Sequence, residues 1–414
     1  MYFSEDIIVN IINDKDKYML LDILNEYLSY IVINKDTKLE TAIEENMIIG
    51  YSYPILEKKE EFEEVLLKNM NIIKNSIEKN ELINFPVVDQ RLLDIGYSTY
   101  FIYKNTNYLE KFLYSINKYI VNLTQKQLNY YDNNYTENFS LIIKNFSRIF
   151  NYLLEFGNMY KNELEDIIKF IINYIEQYIG GTSDNIINIK SKYVDFGLGG
   201  GIAGCLALLV KSARNRIFIK NQEKYINYLI DILEKYKINN KIGMFWSGIL
   251  DSNLLYQFEN FINLKENYSH GSIAIIYILY NAKRLQKSSD EKIYLNELIN
   301  KSKTPIDDLV LGTPSIEEGY SGLLCLYDSI NNIYESDEFL LIKNSLLKEV
   351  IKFYNNLIYP TFKKRNIYLD STIVREKCTF NDYSIYTGNT GIILSLISCF
   401  TKVNDDFYKY LGII

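Results

Sequence analysis

The segment PSIEEGYSGLLCLYDSI, residues 314–330, decides how this chain is read. Its second half, with Gly319, Gly322 and the run Leu323-Leu324-Cys325-Leu326, is the start of a buried helix. Its first half places two carboxylates, Glu317 and Glu318, directly before that helix. The same frame recurs in FGLGGGIAGCLALLVKSA (196–213), NYSHGSIAIIYILYNAKRL (267–285) and SIYTGNTGIILSLISCF (384–400). Each copy opens on a glycine, carries a small residue three positions on (Gly204, Ala274, Gly322, Gly391) and continues with aliphatic residues. Two looser copies lie upstream, LLDIGYSTYFIYKN (92–105) and SLIIKNFSRIFNYLLEFGN (140–158).

Between the copies the apolar residues follow helical period. NYLLEFGNMYKNELEDIIKFIINYIEQYIGG reads as helix up to a stop at Gly180-Gly181, and FLLIKNSLLKEVIKFYNNLIYP as helix up to Pro360. YINYLIDILEKYKINNKIG behaves alike, and strand-type alternation is scarce, confined to short pieces in connecting insertions. A frame repeated at roughly 50–70 residues fits a helix-pair repeat. Small residues let inner helices approach closely, and no pair can bury its inner helix alone, so pairs stack. The expected fold is all-α, an (α/α)₆ toroid with a ring of inner and a ring of outer helices. It forms one domain over residues 1–414, with glycine-bearing helix N-termini gathered at one end. An open solenoid is the alternative.

Composition sets the outer limits. The 414 residues are 48% hydrophobic and 23% charged, with 5 prolines, as in a well-cored globular chain. A net charge of -7 without a dense basic block disfavours nucleic acid and anionic membrane surfaces. The start, MYFSEDIIVNII, has acidic residues where a secretory signal has basic ones, and the longest apolar run, GIAGCLALLV, is too short to span a bilayer. The four cysteines form no CxxC pair, which suits reduced thiols and a cytoplasmic location. Cys205, Cys325 and Cys399 sit in apolar helical runs as core residues, whereas Cys378 has polar neighbours and is expected to be exposed.

The repeated frame resembles the lanthionine synthetase C (LanC-like) family. GLGGGIAGCLALL is similar to that family's GLAHGIAG segment, SIEEGYSGLL to its LCHGYSG segment, NYSHGSIAI to WCYGxPGI, and YTGNTGIILSLIS to the closing ExGxxGIxLxLLS. The resemblance runs from about Leu92 to Phe400 and implies a toroid that acts on dehydrated peptides. Active relatives hold zinc through the cysteine of WCYG and the Cys-His pair of LCHG, and the metal activates a peptide thiol. Here those positions are Ser269, Glu317 and Glu318. The GLAHG histidine is Gly200, the arginine before WCYG is Lys265, and an upstream aspartate falls near Leu141.

The resemblance therefore implies a protein of lanthipeptide biosynthesis with its zinc site lost and no other cofactor. Its partners would be a precursor peptide and a dehydratase or transporter of the same pathway. Gly200, Lys265, Ser269, His270, Glu317 and Glu318 are the candidate substrate-binding residues. His270, the one histidine of the chain, is the candidate general base. The alternative is a zinc-independent cyclase that orients thiol and dehydro residue in a cavity. Other readings compete at single residues. Glu317 and Glu318 cap their helix, join His270 around a harder metal, or serve a carbohydrate-active toroid. Lys265-Glu266 reads as a solvated pair, and Trp246 in GMFWSG as a groove-lining aromatic.

Overall fold

The computed structural model describes residues 2–34, 37–79, 81–82, 88–134, 139–179, 192–355, 361–367, 373–378, 384–403 and 406–413. Gly180-Gly181 and Pro360 lie outside these residues, as does the side chain of Cys378. The first helices are α1 (Asp14–Ile33), α2 (Leu39–Ser52), α3 (Lys59–Glu78), α4 (Gln90–Thr106), α5 (Glu110–Asn133), α6 (Phe139–Leu154) and α7 (Lys161–Tyr178). Then follow α8 (Ile202–Arg214), α9 (Gln222–Lys235), α10 (Ser272–Leu285), α11 (Glu291–Ser302), α12 (Tyr320–Ile333), α13 (Asp337–Phe353), α14 (Asn389–Phe400) and α15 (Asp406–Leu411). Strands are short. β1 (Tyr193–Asp195) pairs antiparallel with β4 (Ile249–Asp251), and β2 (Ile238–Asn240) with β3 (Gly243–Phe245). β5 (Tyr354–Asn355), β6 (Thr361–Ile367) and β7 (Ile373–Cys378) form an antiparallel meander.

The chain forms two compact units, residues 1–123 with 312–410 and residues 124–311 with 411–414. In the first, α2 packs against α3, α4 and α14, α12 against α13 and α14, and α1 against α13. In the second, α6–α7, α8–α9 and α10–α11 are helical hairpins, with α8 touching both α6 and α10. Helices α8, α10, α12 and α14 are buried on every face over nearly their whole length, as their unbroken apolar sequences require. Their partners α7 and α9 are amphipathic, with one buried stripe. Burying each aliphatic side chain is worth about 1.5–3 kcal/mol, so the inner helices dominate the core.

Several sequence-level expectations shift. The long segment over 151–181 is two helices, because Gly157 adopts φ +59 after α6 and a short 3₁₀ turn precedes α7. α13 stops at Phe353, where the chain turns into β5, and α9 stops at Lys235 ahead of the β2–β3 hairpin. α2, absent from the six-copy frame, is buried from Thr41 to Ser52. Its glycine stands near the C-terminal end instead: a Cβ on Gly50 would come within 2.8 Å of Ile102 on α4.

The frame itself has a reason different from close helix packing. The opening glycines Gly201, Gly271, Gly319 and Gly388 are all N-caps in extended conformation. In α8 the Gly204 N–H donates to the Gly197 carbonyl (3.1 Å), and a Cβ on Gly204 would meet the Leu198 carbonyl at 2.7 Å. In α14 Gly391 stands in the same relation to Ser384, its N–H donating at 3.5 Å, and a Cβ on it would overlap the Ile385 carbonyl. The incoming loop thus folds its carbonyls onto the first helical turn, satisfying N–H groups that have no partner within the helix. The small residue makes room for that carbonyl.

Candidate functional site

Within the second unit the glycine-rich loop 197–201 wraps the segment Asn267–His270. Gly199 N–H donates to the Ser269 carbonyl (3.1 Å), and a Cβ on Gly199 would sit 3.1 Å from Ser269 Oγ. Ser269 is 1% exposed. His270 is fixed at its backbone: its N–H donates to Asn267 Oδ1 (2.7 Å), and its carbonyl accepts from Asn263 Nδ2 (3.0 Å). Its imidazole is a quarter exposed and lies with Nε2 3.5 Å from Asp195 Oδ2.

Asp195, at the end of β1, was not singled out in the sequence. Its Oδ1 accepts from the Gly197 N–H (2.7 Å), and its Oδ2 accepts from the Ser140 hydroxyl on α6 (2.9 Å). A carboxylate two residues before a glycine run, closing a turn onto the run's first N–H, is the local signal that would have found it. Leu141 is the position read near the family's upstream aspartate. Leu141 is 54% exposed, and its neighbour Ser140 makes the contact with Asp195.

Gly200, the position of the family's histidine, has φ +145, and a Cβ there would overlap the Ser140 carbonyl oxygen. The loop at this point admits no L side chain without moving α6 or itself. Lys265 is half-buried, its N–H donating to Asn263 Oδ1 (3.1 Å).

Glu266 is the clearest departure from expectation. It is 3% exposed, not solvated. Its Oε1 pairs with Lys301 Nζ at 2.8 Å, and its Oε2 accepts from the Ile273 N–H (3.0 Å) in the first turn of α10. The Lys301 ammonium also lies over the Phe245 ring. A buried pair whose remaining atoms are hydrogen-bonded fixes the α10 N-terminus beside Ser269 and His270. Trp246 is likewise interior, fully buried with Nε1 donating to the Leu233 carbonyl (2.8 Å), and lines no groove.

In the first unit Glu317 and Glu318 lie in the turn before α12. Glu317 is half-buried, its N–H donating to the Tyr386 carbonyl (2.9 Å), and Glu318 is exposed. The N-cap is Gly319 with no side-chain bond, and the first-turn N–H groups of Tyr320 and Ser321 donate to the carbonyls of Thr313 and Pro314. The structure thus brings Gly200, Ser269 and His270 together with Asp195 and Ser140, and places the two glutamates on the α12 turn.

Cys205 lies one turn into α8, fully buried. Burial pushes its thiol up, and the nearby Asp195 carboxylate adds to the shift. Cys325 and Cys399 are also buried, in keeping with core positions. Among the described residues no three His, Cys, Asp or Glu side chains converge on one point. The donor chemistry at the family's three zinc positions does not suit zinc: a buried neutral hydroxyl at Ser269 and hard carboxylates at 317 and 318.

Residues 95–411 match the family pattern of the lanthionine synthetase C-like proteins. The chain belongs to that family. No curated protein matches it in sequence. Among solved structures it is similar to a nisin cyclase at 14% identity, with a TM-score of 0.68 over 97% of this chain and 98% of that one. That likeness carries the fold class expected from the sequence, the all-α toroid of LanC-like proteins. Among the described residues no helix is long and apolar enough to cross a membrane.

Proposed function

We propose that this LanC-like protein takes part in lanthipeptide biosynthesis by binding a dehydrated precursor peptide, or the dehydratase that carries it, without zinc and without closing rings itself. The observation that carries this reading is Gly200. At the histidine position of the family segment the backbone holds φ +145 against the Ser140 carbonyl, so the loop as it stands has no room for a histidine side chain. With Ser269 at a thiolate position and glutamates at the Cys-His pair, the chemistry of zinc-activated thiol addition has no support. What persists is a set of polar groups beside apolar helices, suited to positioning a peptide. Glu317 and Glu318 favour a cationic group on the partner, such as a lysine. A cytoplasmic location goes with this role.

A second reading rests on one contact, Asp195 to His270. A carboxylate beside an imidazole holds it in a fixed orientation, as a general base requires. In that reading His270 takes the proton of a peptide cysteine. The sulfur then bonds to Cβ of dehydroalanine, the C=C electron pair passes to the α-carbon side, and the imidazolium returns a proton to Cα. No oxidant or metal enters the balance.

The experiment uses a lanthipeptide precursor dehydrated at its serine and threonine residues. Affinity is measured by titration, and ring formation by loss of alkylatable thiol in mass spectra. Binding without acceleration of ring closure supports the scaffold. Fast stereoselective closure by metal-free protein, abolished in His270→Ala, replaces it with the zinc-independent cyclase. One zinc per chain in protein purified without chelator, lost on mutating Glu317 or Glu318, overturns both.

A further inference from the structure

The second unit includes, besides residues 124–311, the short segment 411–414. Leu411 and Gly412 line a pocket with α6, α8 and the glycine-rich loop. Leu411 and Ile413 are buried (6% and 3% exposed), and the Leu411 carbonyl accepts from the hydroxyl of Tyr268, the residue directly before Ser269. Gly412 adopts φ +82, and a Cβ on it would lie 2.7 Å from Asn151 Nδ2. Beside the segment remains a cavity of about 40 Å³, bordered by Ser147, Asn151, Gly204, Lys211, Tyr268 and Gly412. Asn151, one of the residues lining the cavity, is 4% exposed, and its Oδ1 has no hydrogen-bond partner.

A buried acceptor left open costs about 1–3 kcal/mol, and native interiors rarely keep one without a use. Its neighbours are a hydroxyl already donating to a peptide carbonyl and a loop already built from backbone. A peptide strand offers what this wall lacks: an N–H for Asn151 Oδ1 and a carbonyl for Tyr268 Oη. We propose that the pocket is a recognition site for peptide backbone and that residues 411–413 fill it as an internal stand-in, to be displaced when a precursor peptide binds. The proposal rests on the peptide-binding reading above and gives it a place and a gate. Affinity for an outside peptide is lowered by the fraction of molecules in which the segment is seated. Gly412 is then specific to the seated state, because a side chain there is strained by φ and obstructed by Asn151.

The test uses full-length protein and a fluorescein-labelled pentapeptide of residues 410–414, Tyr-Leu-Gly-Ile-Ile, with a scrambled control. Gly412→Val unseats the segment, which is read independently as faster hydrogen exchange of amides 411–413 with the rest of the unit unchanged. The labelled peptide then binds Gly412→Val about tenfold or more tighter than wild type, following the released fraction. Adding Asn151→Ala to Gly412→Val removes that gain. Equal binding to wild type and variant, equal binding of the scrambled peptide, or exchange at 411–413 unchanged by Gly412→Val each overturns the proposal. Capture of the labelled peptide by Gly412→Val with no binding of the precursor peptide keeps the pocket and sinks the reading of function. The reverse pattern does the opposite.

Discussion

The Asp195 carboxylate and the His270 imidazole stand 3.5 Å apart, joined from two segments that the sequence gives no reason to pair. The same carboxylate accepts hydrogen bonds from Gly197 and Ser140. It therefore ties together β1, the glycine-rich loop, α6 and the turn before α10. Replacing Asp195 by Ala leaves the Gly197 N–H and the Ser140 hydroxyl without their acceptor, a loss of about 1–3 kcal/mol. Ser140→Ala removes one donor and costs less, about 1 kcal/mol. Denaturant titration of the two variants orders them; an Asp195→Ala protein as stable as Ser140→Ala would remove Asp195 from this role.

Gly200 gives the second prediction. Writing the family's histidine back, Gly200→His, forces a side chain at φ +145 against the Ser140 carbonyl. Strain of this kind costs about 1–3 kcal/mol before the overlap is counted. Ser269→Cys changes little in volume and leaves the fold near wild-type stability. Thermal unfolding of Ser269→Cys/Glu317→Cys/Glu318→His with and without Gly200→His then shows the histidine lowering the melting temperature. A quadruple variant as stable as the triple one contradicts the geometry at Gly200.

The third concerns Glu266 and Lys301, both almost fully buried and 2.8 Å apart. Lys301→Met strands a buried carboxylate at the foot of α10 and costs about 3–5 kcal/mol, while the double replacement Glu266→Gln/Lys301→Met recovers part of it. A double-mutant cycle on unfolding free energy measures the coupling. No coupling between the two sites would mean that each is held by other groups.

Cysteine chemistry supplies a fourth. Burial foremost, then the Asp195 carboxylate, keep the Cys205 thiol protonated at neutral pH. In native protein Cys205 reacts with a disulfide reagent only as fast as the structure opens, and the rate rises with denaturant. Rapid labelling of Cys205 in buffer, located by peptide mapping, argues for an accessible thiolate instead.

The last prediction follows from Glu45 on α2. Burial raises its carboxyl above the ordinary value, against hydrogen bonds from Asn34 and Asn69 (each 2.9 Å) and the charge of Lys68. A raised carboxyl contributes stability fully below its unfolded value and loses it as pH rises through the folded one. Stability of wild type relative to Glu45→Gln therefore declines with rising pH across that window. Melting temperatures of the two proteins across the acid range report it; a difference independent of pH rules out the linkage.

The fold was legible because its determinants are local and repeated. Gly204, Gly322 and Gly391 announce helix starts by spacing alone, and the aliphatic runs behind them announce burial. The site was legible only in part. Ser269, His270, Glu317 and Glu318 stand within recognisable segments, whereas Asp195 acts through a contact made in the folded chain. Glu266 looked solvated because its neighbour in sequence is Lys265, while its partner in space is Lys301. α2 escaped notice because its sequence, LETAIEENMIIGYS, mixes carboxylates into a helix that is buried all round. Those carboxylates find partners on other elements, Thr390 for Glu44 and Asn69 for Glu45, which no local pattern foretells.

The carbonyl-over-glycine turns of α8 and α14 carry a consequence for how such a protein changes over time. In them main-chain carbonyls seat the loop on the first helical turn through Gly204 and Gly391, whatever side chains the tip carries. Tips of this kind are interchangeable fittings on a fixed mount. A lineage can discard one chemistry and try another without renegotiating the architecture.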